Sequence, residues 1–312
     1  MRQPESIRNL LVITEEVEHA LEAAKPVVAL ESTVITHGLP YPENLKLAQN
    51  MEQVVREHGA VPATVGVIDG RIHIGLTSEQ VEFLAQAGEV FKISVRDFAP
   101  SVALKRSGGT TVAGTLLAAS AAGLRVFATG GIGGVHRLAP GETGSSFDIS
   151  TDLTQLAHTP MAVVCAGAKA ILDLPATLEM LETLAVPVVG YTTDEFPAFY
   201  SVSSGLPVSV RVDSAEQAAE IAWAHWGLGL ESAVLVTVPP PPESALPHEA
   251  VQGAIEIALA ELREQGIRGQ AVSPYLLKRV SELTRGHSLQ ANLALLLNNA
   301  RVAAQISKAM CL

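Results

Sequence analysis

Residues 111–135 read TVAGTLLAASAAGLRVFATGGIGGV, and the fold is decided there. Residues 111–122 are small, helix-compatible residues, which predict a helix that packs closely on its neighbours. A short apolar strand follows at 125–128 and ends in the glycine-rich segment 129–135. Helix, strand, then polar turn is the repeating unit of an α/β sheet, whose ligands gather beyond the carboxyl ends of the strands. The unit recurs in both directions. Strands are predicted at 27–30, 162–165, 186–189 and 233–237, and helices at 44–58, 174–184 and 215–225. Residues 63–68 and 71–74 form a predicted hairpin around Asp69-Gly70, so some pairing is antiparallel. Three helices close the chain at 248–264, 274–284 and 289–308. The expected architecture is a three-layer α/β/α sandwich with a mixed, mostly parallel central sheet. It forms one catalytic domain over residues 1–312, with the C-terminal helices packing on the core or on a neighbouring subunit. The five prolines of 239–247 fall between a strand and a helix, which makes that stretch a stiff loop rather than a domain boundary.

Composition narrows the function classes. Of the 312 residues, 48% are hydrophobic and 17% charged, as in a well-packed globular protein. A formal net charge of −11 repels a phosphate polymer, which argues against nucleic-acid strands as ligands while leaving room for a small anion held by local donors. Two cysteines, Cys165 and Cys311, make neither a disulfide framework nor a zinc motif. No signal-peptide pattern opens the chain and no run of about 18 apolar residues suits a membrane, so the expected location is the cytoplasm.

Four polar clusters sit where such a sheet would place a ligand. Glu31-Ser32-Thr33 follows the strand at 27–30, and a desolvated carboxylate there suits acid–base work, although a loop hydrogen-bonding cluster would use the same residues. Residues 129–137 bring backbone N–H groups close to an anion, with His136 and Arg137 able to add charge. Asp148 and Asp152 would share one face if their segment were helical, and hard oxygens suit Mg²⁺ or Mn²⁺; an N-cap followed by a first-turn acid fits the spelling equally. Lys169 comes just after an apolar strand. It is either a solvated surface lysine or, if buried, an amine free for Schiff-base chemistry. Lys92 is similar and could equally bind phosphate. Together these point to an enzyme for a phosphorylated small molecule.

The same residues carry a resemblance. The segments ALESTVITHGLPYPENLKLA (29–48), VPATVGVIDG (61–70), KISVRD (92–97), GGTTVAGT (108–115), VFATGGIGGVHR (126–137), DISTDL (148–153), VVCAGAKAILDLPATLE (163–179), TDEFPAFY (193–200) and SLQANLALLLNNA (288–300) resemble the pseudouridine-5′-phosphate glycosidase family, related to the indigoidine-synthase-A proteins. The resemblance implies Glu31 as proton donor, Lys169 as nucleophile and Asp148 as the ligand of one divalent cation per subunit, usually Mn²⁺. It implies substrate contacts for Lys92, Val112, Ser150, Thr151 and Asp152, a uracil contact for Asn292, and phosphate or ribose contacts for Thr129 and His136. It also implies a homotrimer. The chain departs from the family in a longer loop at 138–146, in Thr151 within Ser-Thr-Asp, and in Val238 before Pro239.

The implied substrate is pseudouridine 5′-phosphate and the products are uracil and ribose 5-phosphate. The bond to be broken joins C1′ to C5 of uracil, and carbon is a poor leaving group. A lysine amine joined to C1′ of the opened ribose offers an iminium sink, and the bond can break in a retro-Mannich-like step as C5 gains a proton. Two alternatives remain open on sequence: another lysine-dependent sugar-phosphate lyase or aldolase, and a non-catalytic nucleotide-binding paralogue linked to pigment biosynthesis. An ATP loop for a kinase is absent from the sequence.

Overall fold

The computed structural model describes residues 7–137, 146–267 and 271–311. The longer loop inferred at 138–146 lies outside the described residues up to position 145. The strands are β1 (Leu11–Ile13), β2 (Val27–Leu30), β3 (Val61–Ile68), β4 (Arg71–Ile74), β5 (Phe91–Ile93), β6 (Gly108–Thr110), β7 (Val126–Ala128), β8 (Val135–His136), β9 (Ala162–Cys165), β10 (Leu172–Asp173), β11 (Val188–Tyr191), β12 (Val210–Val212) and β13 (Val234–Thr237). The main sheet runs β1-β4-β3-β2-β7-β9-β13-β11-β12, with β6 also on β3 and β5 on β6. Among the described residues only β3–β4 and β3–β6 pair antiparallel in it, and every other pairing is parallel. The sheet is therefore mixed and mostly parallel, as expected.

The reason lies in burial. Every residue of β2, β7, β9 and β13 is buried, the mark of parallel strands covered on both faces. The last helix, His287–Met310, packs between Glu43–Glu57 and Ala215–Gly227 and against β2, β7 and β9. Helix Val112–Ala121 packs with Thr151–Leu156 and against β2, β3 and β4. Its Ala and Gly residues explain the close fit, and Leu116 beside them is wholly buried. The antiparallel hairpin forms where the sequence placed it. Asp69 and Gly70 have φ of 48° and 77°, the paired positive values of a type I′ turn. A side chain at Gly70 would meet the carbonyl of Val102 at 2.8 Å, so the position has room for glycine alone.

Two differences have plain causes. The strand expected at 186–189 occupies Val188–Tyr191, because Pro187 has no N–H for the ladder. The unexpected three-residue β6 is Gly-Gly-Thr, a composition with almost no strand preference, held by its neighbours β3 and β5. Among the described residues no helix is long and apolar enough to cross a membrane.

Candidate active site

Register places the first two groups. Leu30 of β2 pairs with Ala128 of β7, so the next residues, Glu31 and Thr129, leave adjacent parallel strands side by side. The Thr129 hydroxyl donates to the Glu31 carboxylate, and both residues are buried. Ser32 turns the other way: its hydroxyl donates to Val65 O at 2.5 Å and accepts from Thr110 N at 2.9 Å, tying β2 to β3 and β6. The loop hydrogen-bonding cluster thus falls to Ser32, and the neighbouring Glu31 carboxylate is left paired with Thr129.

Burial pushes the Glu31 carboxyl above the ordinary carboxylate range. Lys169, the Thr129 hydroxyl and Lys92 pull it down, and Asp152 adds to the rise. These influences show that the structure brings Glu31, Lys92, Thr129, Asp152 and Lys169 into one neighbourhood. Lys92, half-buried on β5, is lowered by burial and by Lys169, against the pull of Asp152 and Glu31.

Lys169 is half-buried in the turn after β9, and its own N–H donates to Ile132 O at 3.1 Å. The turn is held from outside by Arg137. That guanidinium donates to Leu172 O and Ala170 O, both at 2.9 Å, and to Gln252 Oε1 at 2.8 Å. Arg137 therefore clamps the lysine turn, giving three of its five N–H donors to protein acceptors. The small antiparallel pair β8–β10 sets His136 opposite Leu172 in the same clamp. Burial lowers His136, Asp148 opposes this, and Lys169 and Lys92 reinforce it. His136 thus favours the neutral ring, which offers hydrogen bonds rather than the charge expected from sequence.

Of the two readings open for the acidic pair, the structure takes the N-cap followed by a first-turn acid. Ser150 is extended (ψ 138°) and caps the helix Thr151–Leu156, its hydroxyl accepting from Asp152 N at 3.2 Å. Asp148 therefore precedes the helix, and the two carboxylates share no helical face. Asp152 is the buried first-turn acid; its oxygens accept from Ala113 N at 2.9 Å and Gly133 N at 2.8 Å. It joins the start of helix Val112–Ala121 to the glycine loop, and a side chain on Gly133 would lie 2.8 Å from Asp152 Oδ2. Asp152→Asn should lower stability by about 1–3 kcal/mol, because an amide can accept only one of the two buried N–H groups and points its own donor at the other; thermal unfolding measures this, and an unchanged Tm would contradict the strut.

The remaining candidates are more scattered. Val112 is buried at the first turn of its helix behind the cap Thr111, Thr151 is exposed, and Asn292 is half-buried on the last helix, with no side-chain hydrogen bond among the described residues. Asp148 is exposed beside His136, which donates its backbone N–H to Asp148 O at 2.9 Å. Among the described residues no group of three or more His, Cys, Asp or Glu could hold a metal ion. One exposed carboxylate next to a neutral imidazole fits a divalent cation that keeps most of its waters or shares oxygens with a ligand, not one caged by protein. Sequence reasoning missed Asn299, which reaches the carbonyls of Thr129 and Gly130. Its only signal was an amide pair, Asn298-Asn299, inside an apolar helix.

A buried acid at a strand end facing two amines, beside a glycine loop, defines an α/β acid–amine site suited to a small anionic sugar. The chain belongs to the family described as Indigoidine synthase A like protein, which it matches over residues 16–309. It is 52% identical to a pseudouridine-5′-phosphate glycosidase of Caldanaerobacter subterraneus subsp. tengcongensis over 295 residues, 95% of each chain. It is 53% identical to the enzyme of that name from Paracoccus denitrificans, covering 96% of this chain and 98% of the relative. Among solved structures it is similar to the prealnumycin C-glycosynthase AlnA, in complex with ribulose 5-phosphate, with a TM-score of 0.88, 43% identity and coverage of 99% and 98%. An indigoidine-synthase-A-like protein of Thermotoga maritima gives a TM-score of 0.88 at 34% identity, covering 100% of both chains.

Proposed function

We propose that this protein is a pseudouridine-5′-phosphate glycosidase, which hydrolyses the C1′–C5 bond to give uracil and ribose 5-phosphate, reversibly. The observation that carries the reading is the buried Glu31–Thr129 pair with Lys169 and Lys92 in its field. The near-full-length relatives of that name support the substrate.

The raised carboxyl keeps a proton on Glu31 at pH values where an ordinary carboxylate has lost it. Glu31 gives that proton to O4′ as the C1′–O4′ bond breaks. The Lys169 amine bonds to C1′ and releases its own proton. Its nitrogen lone pair then forms the C=N bond as the C1′–C5 electrons leave with uracil, whose C5 takes up a proton. Water hydrolyses the imine to the aldehyde of ribose 5-phosphate and returns the amine. Lys92 and His136 suit the phosphate and ribose oxygens and Asn292 the uracil edge, while the N–H groups of Thr129, Ile132, Gly133 and Val135 are already given to protein acceptors and shape the glycine loop instead. Asp152 contributes by holding Ala113 and Gly133 in place.

Asp148 would hold a hydrated Mn²⁺, or Mg²⁺, as a Lewis acid and anchor for anionic oxygen. Chelation followed by dialysis should reduce uracil release by at least about tenfold, with recovery on adding Mn²⁺; Asp148→Asn should need a higher Mn²⁺ concentration for half-maximal rate. Activity indifferent to chelator would remove the metal from the proposal. The protein is proposed to act in the cytoplasm as a homotrimer, which light scattering checks directly. The decisive assay is purified protein with pseudouridine 5′-phosphate and Mn²⁺, following uracil. Release of uracil supports the reading. Aldol cleavage of other sugar phosphates without uracil release would favour the aldolase alternative, and nucleotide binding without turnover the non-catalytic one.

A further inference from the structure

Asn299 lies within the last helix and is wholly buried. Its amide nitrogen donates to Thr129 O at 2.8 Å and to Gly130 O at 3.3 Å. Its amide oxygen is buried with no hydrogen-bond partner among the described residues. An unpaired buried oxygen is unfavourable, and leucine would occupy similar space without it. What asparagine adds is the donor, and it aims that donor at two successive carbonyls, the nearer being that of the Thr129–Gly130 peptide. The N–H of Thr129 is already bound to Val164 O at 3.0 Å, so with Asn299 on its carbonyl the residue is held at both its N–H and its C=O. The helix also presses on this spot: a Cβ on Gly130 would lie 3.1 Å from Leu296 Cδ2. Asn292 is seven residues earlier, about two turns, on the same side of the helix.

We propose that Asn299 is a positioning residue for the acid: it fixes the Thr129–Gly130 peptide so that the Thr129 hydroxyl stays on Glu31, and it registers the helix bearing Asn292 against that peptide. The inference rests on the proposed function, in which Glu31 is the acid. Lys169, Asp152 and Lys92 are the charged groups that also face Glu31. Asn299 hydrogen-bonds to none of them, so a shift in Glu31 behaviour in its variants is expected to report the Thr129 bond.

The test compares wild type, Asn299→Leu and Asn299→Ser with Thr129→Val, each assayed for uracil release from pseudouridine 5′-phosphate between pH 5 and 9, with thermal unfolding alongside. Both Asn299 variants should lose about tenfold or more in kcat. The limb of their pH profile governed by Glu31 should move upward by about 0.5–1 unit, as in Thr129→Val, because losing a hydrogen bond to a carboxylate raises its pKa. Asn299→Ser is neutral and small and carries the test if leucine prevents folding. A lower Tm with wild-type kcat and an unmoved limb would reduce Asn299 to a packing residue and overturn the inference. A wild-type enzyme that releases no uracil would overturn the functional reading and this inference with it.

Discussion

Lys169→Ala is expected to reduce uracil release by at least about a thousandfold, because no other group can supply the covalent route. Lys92 is the other amine in the field of Glu31, but it is carried by a different element, β5, and not by the turn that presents Lys169. Borohydride added during turnover should trap a secondary amine on Lys169 in the wild type, located by peptide mass, and none in the variant. A wild-type enzyme that turns over fully without any trapped adduct would exclude the imine. Because Arg137 fixes the carbonyls of Ala170 and Leu172 independently of the lysine side chain, the variant should fold with an unchanged Tm.

Glu31→Gln is the second large effect: a loss of about 10²–10⁴ in kcat, with substrate still bound. Stability should change in the opposite direction. The folded carboxyl titrates above its ordinary value of 4.5. Between those two values the native protein holds a proton that the unfolded chain has released, so stability present below about pH 4.5 is lost as pH rises through the folded pKa. Glutamine does not titrate and can still accept from Thr129. The Tm of Glu31→Gln minus that of wild type should therefore grow as pH rises across this window. A difference that is flat with pH would mean that Glu31 ionises in the native state as it does in water.

How far these groups were legible in the sequence follows from range. The strands at 27–30 and 162–165 are unbroken apolar runs, and the structure places them at those residues because both faces are covered. That fixed the strand ends and, with them, the positions of Glu31 and Lys169. Gly108–Thr110 and Phe91–Ile93 left no such mark, because three residues carry too little pattern and their pairing is decided by distant neighbours. Asp148 and Asp152 were ambiguous because spacing alone does not say where a helix begins; the extended Ser150 decides it. The Thr129 bond to Glu31 spans 98 positions and that of Asn299 to Thr129 spans 170, distances over which local spelling is silent. Arg137 looked like a free cation beside a glycine loop, and only the folded chain shows the carbonyls that occupy it.

The last of those long spans has a consequence during synthesis. The ribosome delivers Glu31 well before the helix His287–Met310. Until that helix leaves the exit tunnel, the Thr129–Gly130 peptide lacks its anchor and the acid lacks its fixed partner. A nascent chain that has made Glu31 and Lys169 but not yet this helix therefore lacks the Asn299 contacts that we propose position the acid.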